Sequence, residues 1–336
     1  MNSNKILRNA KKIAIVRTDK LGDMVLTLPM VNIIKSINPY AEIHVIANSY
    51  TEFLLQNQPY ISAYHFVNKV DGGINSIFKN NKFDVVFFPR PRLEEVFPAF
   101  VNRVPLRVGS GYRYYSFLFN KKIFEHRKTA EKTEAQYNVD MINSIAGTNE
   151  EYKLLKPYIS NNAIQKITQL TKNIGKYIVI HPGGSGSAPY LSKEKFSEIA
   201  NYILANKLKE NSKFLVVVTG VENELNLCNY ICENNPQAIN LCGKLSLEET
   251  SALLSTTECL IANSTGIMHI AEAIGSKVIA LFPSAKAISS DRWGHKNPRT
   301  INLTSKEQIN FEKDQAEMEL NIDTKEIISA LVHLLF

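Results

Sequence analysis

Short apolar runs recur along the chain, and several end in small polar residues followed by apolar positions at helical spacing. In the first half the runs are residues 13–16, 42–47 and 85–88, with Arg107-Val108-Gly109 marking the end of a later strand. In the second half they are residues 177–180, 214–218, 259–262 and 278–282. Between them lie helical patterns. One runs from about Asp23 or Met24 to Ile37 and stops at Asn38-Pro39, and another covers residues 131–146. A third begins near Ser192, a fourth contains Glu224 and Leu227, and a fifth carries Ile267, Ile270, Ala271 and Ile274 before Gly275 ends it. Continuous apolar runs alternating with amphipathic helices predict βαβ units and parallel sheets buried on both faces.

The strand ends carry the candidate chemistry. The run at 259–262 breaks at Asn263-Ser264-Thr265-Gly266, so hydroxyls and unpaired backbone N–H groups stand at a helix N-terminus. Such a terminus suits an anion such as a diphosphate, and Ser and Thr are equally common as plain N-caps. The run at 177–180 opens onto His181-Pro182-Gly183-Gly184-Ser185-Gly186-Ser187-Ala188, and that at 214–218 ends in Thr219-Gly220. In an open parallel sheet the carboxyl ends of the strands share one edge, where ligands bind. Three polar loops converging there predict a nucleotide pocket.

At 336 residues the chain predicts two domains, and 44% hydrophobic with 21% charged residues excludes a disordered protein. The net charge of +7 favours an acidic ligand or an anionic membrane surface, but no Lys/Arg run is long enough to indicate nucleic acid. Cys228, Cys232, Cys242 and Cys259 have no histidine pair at zinc spacing and read as buried thiols of a reducing compartment. The polar N-terminus lacks the apolar core of a signal peptide, and no run is long enough to span a bilayer. The expected location is therefore cytoplasmic. The polar stretch 156–176 reads as an interdomain linker with a helix inside it. The expected division is residues 1–157, a linker at 158–175, residues 176–320, and an amphipathic helix at 321–336 packing across the domains. Two doubly wound α/β domains facing an interdomain cleft is the predicted architecture.

Asp23 follows the first strand in Arg17-Thr18-Asp19-Lys20-Leu21-Gly22-Asp23. It reads either as the N-cap of the next helix or as a general base at the floor of the cleft. Helix-terminus charge would keep it anionic at neutral pH.

The stretch 17–29 resembles the N-terminal signature of glycosyltransferase family 9, which contains the lipopolysaccharide heptosyltransferases. Residues 181–188, 218–224 and 263–271 resemble its later signatures in the same order, and Phe282-Pro283 and Arg292-Trp293-Gly294 match a weaker closing pattern. The resemblance implies a GT-B fold, with an N-terminal acceptor domain and a C-terminal nucleotide-sugar domain, both Rossmann-like. It implies inverting transfer without a metal ion or other cofactor, in keeping with a sequence that has no Asp-x-Asp pair. By the same resemblance Asp23 is the base. Gly183, Gly184 and Ser185 meet phosphate or nucleotide, with Gly220 in the next loop, and Glu224 contacts ribose or donor. Ser264, Thr265, Gly266 and His269 form the pyrophosphate-side helix start. His269 also reads as a packed helix histidine.

Two positions depart from the heptosyltransferase pattern. Ser264 stands where those enzymes carry an aspartate that contacts the donor sugar, and Pro189 where they carry a lysine that contacts the phosphates. The leading expectation is an enzyme that glycosylates a lipid-linked saccharide such as a lipopolysaccharide core at the cytoplasmic face of the inner membrane. Arg90, Arg92, Arg113, Arg127 and Lys128 are expected to meet acceptor phosphates or anionic headgroups. A nucleotide-sugar epimerase or hydrolase, and a non-catalytic ligand-binding protein, are the alternatives.

Overall fold

Strands joined by helical crossovers must return in the same direction, so the βα alternation leads to parallel pairing. The computed structural model describes residues 2–336 except 185, 187, 207, 210, 211 and 308–318. The chain divides into unit 1, Met1–Arg127 with Glu134–Tyr158, and unit 2, Lys128–Thr133 with Ile159–Phe336. Unit 1 contains β1 (Lys12–Val16), β2 (Glu42–Ala47), β3 (Ala63–Phe66), β4 (Val85–Phe87), β5 (Leu106–Ser110) and β6 (Lys121–Ile123). These form one sheet in the order β3-β2-β1-β4-β5-β6. Unit 2 contains β7 (Tyr177–His181), β8 (Leu215–Val218), β9 (Ile239–Asn240), β10 (Cys259–Asn263), β11 (Val278–Phe282) and β12 (Thr300–Thr304), in the order β12-β11-β10-β7-β8-β9. Counted from its own first strand, each sheet has the Rossmann order, which reverses between β1 and β4 in one unit and between β7 and β10 in the other.

Alternation along the strands splits the core of unit 2 into two faces. Ile178, Ile180, Val216, Val218, Ile261 and Ile279 pack with Phe196 and Ile199 of the helix Lys193–Leu204. Val179, Val217, Leu260 and Ala280 face the other way, onto Leu253 and Met268. Register holds Ile261 opposite both Ile180 and Ile279, so the central strands are the most completely buried.

Three sequence expectations change. The helix expected over 23–37 is two helices, Leu21–Val25 and Pro29–Ile37. Pro29 has no N–H to donate to the preceding turn, so the first helix stops and the second starts with proline at its first position. Residues 159–175, expected as linker, belong to unit 2. Their helix Asn161–Thr171 is capped by Ser160 and packs on Leu247–Thr256, with Lys166 paired to Glu249. The final helix, Thr324–Leu335, buries Ile327 and Leu331 in the core of unit 2 and packs on Lys193–Leu204.

The four cysteines are free, with Cys228, Cys242 and Cys259 buried. Burial pushes the Cys232 thiol up to about 11 and Cys259 to about 12, which makes both poor nucleophiles at neutral pH. Among the described residues no helix is long and apolar enough to cross a membrane.

Candidate functional site

Chain reversal between β1 and β4 opens a crevice at the carboxyl edge of unit 1, and the loop after β1 lies in it. Arg17, the first residue beyond β1, has a side chain only 1% exposed. Its guanidinium meets three carboxylates: Asp23 through Nη2, Asp19 through Nε at 2.6 Å and Glu134 through Nη1 at 3.8 Å. Burial works against the Arg17 charge, but these carboxylates outweigh it and hold the guanidinium charged.

Asp23 is therefore not an N-cap. The cap position is Lys20, which makes no side-chain cap bond, and Asp23 lies in the first turn, its Oδ1 bound to Arg17. Oδ2 has no hydrogen-bond partner among the described residues, and the side chain keeps 11% exposure. The expectation that helix-terminus charge governs this carboxyl is also corrected. Burial raises its pKa, Arg17 pulls it back, and Asp19 and Glu134 raise it further, leaving it above the usual carboxylate range. Neighbouring loops fix the backbone here. Thr27 donates to Asp23 O at 2.7 Å, and Asn138 Nδ2 donates to Leu26 O at 3.0 Å. Thr18 donates to the buried Glu95, and Arg90 pairs with Asp19 at 3.0 Å. Arg90 and Arg127, expected to meet acceptor phosphates, thus have internal partners, Arg127 pairing with Glu134 and Asn138.

Unit 2 repeats the crevice between β7 and β10. Asn263, the last residue of β10 and 1% exposed, clamps the loop after β7 at both ends. Its Nδ2 donates to Pro182 O at 2.7 Å, and its Oδ1 accepts from Leu191 N at 3.0 Å. His181 joins Thr219 at 3.0 Å, tying the ends of β7 and β8 together. Burial pushes His181 down to about 4, so it is neutral and structural.

Within this frame the glycines are required by close approach. A Cβ on Gly183 would fall on the Glu224 carboxylate. One on Gly184 would lie 2.6 Å from Tyr190 and 3.1 Å from Thr265 Cγ2, and one on Gly220 3.0 Å from Glu224 Oε2. Glu224 accepts from Val221 N at 2.8 Å. Gly183→Ala should therefore displace Glu224 and weaken nucleotide binding at least tenfold with the fold kept, read by calorimetric titration and circular dichroism. Unchanged affinity would remove Glu224 from the site.

Thr265 is the N-cap of the helix Gly266–Ile274, yet its side chain makes no cap bond. Its Oγ1 is buried without a hydrogen-bond partner among the described residues. Leaving a buried hydroxyl unpaired costs about 1–3 kcal/mol, so a group that satisfies it is expected. Ser264, half-buried, precedes it, and its N–H is taken by Leu281 O at 3.0 Å. Gly266 opens the helix with its N–H directed to the same edge. One turn on, His269 Nδ1 lies 3.1 Å from Glu272 Oε2, which directs Nε2 away from Glu272, while Glu272 Oε1 is buried without a partner among the described residues.

The structure brings Gly183, Gly184, Gly220, Glu224, Ser264, Thr265 and Gly266 to one edge of unit 2, with His269 behind them on the helix. Asp23 belongs to unit 1, and Ser185 lies outside the described residues. Sequence reasoning assigned no role to Arg17, Glu134, Tyr190 or Asn263. Arg17 and Asn263 had a signal, a polar residue closing an apolar run; Glu134, 117 positions from Arg17, had none. Among the described residues no group of three His, Cys, Asp or Glu side chains is arranged to hold a metal ion.

A family model described as glycosyltransferase family 9 (heptosyltransferase) matches residues 79–321, beginning after the Asp23 loop. A provisionally named glycosyltransferase of Haemophilus influenzae is 24% identical over 96% of each chain. A glycosyl transferase family 9 structure from Veillonella parvula superposes with a TM-score of 0.82, 18% identity and 99% of each chain covered. An E. coli structure described as ADP-heptose lipopolysaccharide heptosyltransferase II gives 0.78 at 17% identity, covering 96% of this chain and 98% of that one. These likenesses establish the GT-B fold.

Proposed function

The chain belongs to glycosyltransferase family 9, and from that premise we propose that it carries a sugar from a nucleotide diphosphate donor to a lipid-linked saccharide of the lipopolysaccharide-core type, with inversion at the anomeric carbon. The observation that carries the donor half is the buried Thr265 hydroxyl, unpartnered among the described residues, beside Gly184 at a helix N-terminus. A diphosphate oxygen there would accept from Thr265 and from the first backbone N–H groups of the helix.

In this reading Asp23 Oδ2 accepts the proton of the acceptor hydroxyl, whose oxygen attacks the anomeric carbon. The bond from that carbon to the diphosphate breaks, and its electron pair stays on the leaving oxygen. Charge gathering there is met by the positive end of the helix dipole and by Thr265. That positive end takes the part a metal ion would otherwise play, so no metal cofactor is required. Glu224, 3 residues from Val221 and held by its N–H, faces the Gly183 loop and offers a carboxylate to ribose hydroxyls. ADP-heptose is the first donor to test, because the E. coli neighbour is named for it. Ser264 in place of a carboxylate changes how sugar hydroxyls are read, so a different sugar on the same nucleotide is the next.

Thermal unfolding with ADP, UDP, GDP and CMP at matched concentrations tests the pocket. A nucleotide at 100 times its Kd adds roughly 2.7 kcal/mol. In Thr265→Val that gain should shrink while the ligand-free protein keeps its Tm, because the hydroxyl has no bond to lose among the described residues. Loss of ligand-free stability with an unchanged nucleotide shift would make Thr265 a structural residue and sink the reading.

A further inference from the structure

Residues 90–124 of unit 1 concentrate two properties that folding leaves unused. They hold seven Lys or Arg against two Glu, a balance of +5 in a chain of net charge +7. They also hold eight of the seventeen large hydrophobic side chains exposed among the described residues. Scattered apolar residues on a surface are ordinary; a cluster of them interleaved with cations is not.

Contacts join this stretch into one surface. The helix Leu93–Val101 lies against the turn Ser116–Leu118. Arg107 links the two, its guanidinium 5.3 Å from the Phe100 ring and its Nε donating to Leu118 O at 2.7 Å. Phe117 on that turn is 70% exposed, and Phe124 is 64% exposed with Tyr112 edge-on at 5.6 Å. Tyr115 anchors the loop by donating to Pro91 O at 2.7 Å, and the exposed Tyr114 leans on it. At the end of the helix an open cavity of about 400 Å³ is lined by Phe100, Val101 and Pro105 together with Arg103 and Arg107. Arg103, Arg113, Lys121 and Lys122 make no ion pair among the described residues.

We infer that this surface docks unit 1 on an anionic phospholipid bilayer, its rings entering the headgroup region and its cations meeting the phosphates. Aromatic side chains favour that depth. An apolar contact alone or a basic patch alone binds weakly and reversibly, and stable attachment needs both. A protein partner would call for a contiguous apolar centre with charges at its rim. Here the exposed Tyr112, Tyr114, Phe117 and Phe124 are interspersed with Arg113, Lys121 and Lys122, which suits a headgroup layer. The inference rests on the reading above that the acceptor is lipid-linked, since such an acceptor is met at the bilayer.

Co-sedimentation with phosphatidylglycerol–phosphatidylcholine vesicles tests it, against pure phosphatidylcholine. The full chain should bind the anionic vesicles and be released by salt. Lys121→Gln and Lys122→Gln should each weaken binding about fivefold. Phe117→Ser with Phe124→Ser should abolish it, while transfer to a water-soluble acceptor fragment proceeds at the parent rate. Absent or charge-independent binding, or variants that bind like the parent, would overturn the inference. Slower transfer to the soluble fragment would overturn it too, making the surface an acceptor subsite. Vesicle binding needs neither nucleotide nor acceptor, so its failure leaves the transferase reading standing, and failure of nucleotide binding leaves the docking result standing.

Discussion

Asp23→Asn should bind nucleotide as the parent does and turn over about 10²–10⁴-fold more slowly. Asparagine keeps the volume and can still accept from Arg17 through Oδ1, so the loop geometry survives. What it loses is the lone pair that takes the acceptor proton. Arg17 retains Asp19 and Glu134 as counter-charges, which limits the structural cost. The pH profile separates a base from a merely structural carboxylate. Burial holds the folded-state pKa of Asp23 above the ordinary carboxylate range, so the ionised base is lost as pH falls through that raised value. The parent's kcat/KM should accordingly drop on the acid side at a pH above the usual aspartate range, and that limb should vanish in the variant. A variant within tenfold of the parent, or an acid limb that persists, would remove Asp23 from the reaction. Donor consumption without acceptor is measured alongside. Rapid turnover there would point to a hydrolase or epimerase, since a transferase leaves its donor largely intact until the acceptor arrives.

Central strands were legible in the sequence because they are buried on both faces and so read as unbroken apolar runs: β1, β2, β4, β7, β8, β10 and β11 were all visible this way. Edge strands were not. β3, with Ala-Tyr-His only half-buried, and β12, with Thr-Ile-Asn-Leu-Thr, mix polar and apolar residues as strands flanked on one side do. The two-residue β9 is too short to show any period. Pro29 was in plain view, yet the apolar spacing on both sides concealed that it divides a helix in two. At the site, the Gly-rich and Thr-Gly loops announced themselves because close approach and helix starts demand particular residues at particular positions. The charge network did not. That Arg17 is neutralised by Glu134 depends on how a helix far along the chain lies over the first strand, which is a tertiary fact with no local pattern. Asp23 shows the same limit: its position suggested a depressed carboxyl at a helix start, and its burial among like charges reversed the direction.

Arg17→Met should cost about 3–5 kcal/mol of stability near neutral pH. Methionine fills most of the volume, so the loss is electrostatic. Asp19 keeps Arg90 and Glu134 keeps Arg127, but Asp23 loses the one cation it pairs with among the described residues and is left buried as an uncompensated anion. Its folded-state pKa would then rise further above the unfolded value. A group in that position takes up a proton on folding, so its penalty is full at high pH and disappears as pH falls through the raised pKa. The gap in Tm between parent and variant should therefore narrow on acidification at a pH above the usual aspartate range, whereas loss of a simple ion pair would narrow it only below that range. The same substitution placed on Asp23→Asn should cost clearly less than on the parent, because no unpaired charge remains at position 23. A pH-independent gap, or equal costs in the two backgrounds, would mean that Arg17 acts through packing alone. If both signatures hold, the guanidinium is what keeps a buried, unusually basic carboxylate ionised, and that is the state a general base needs before the acceptor binds.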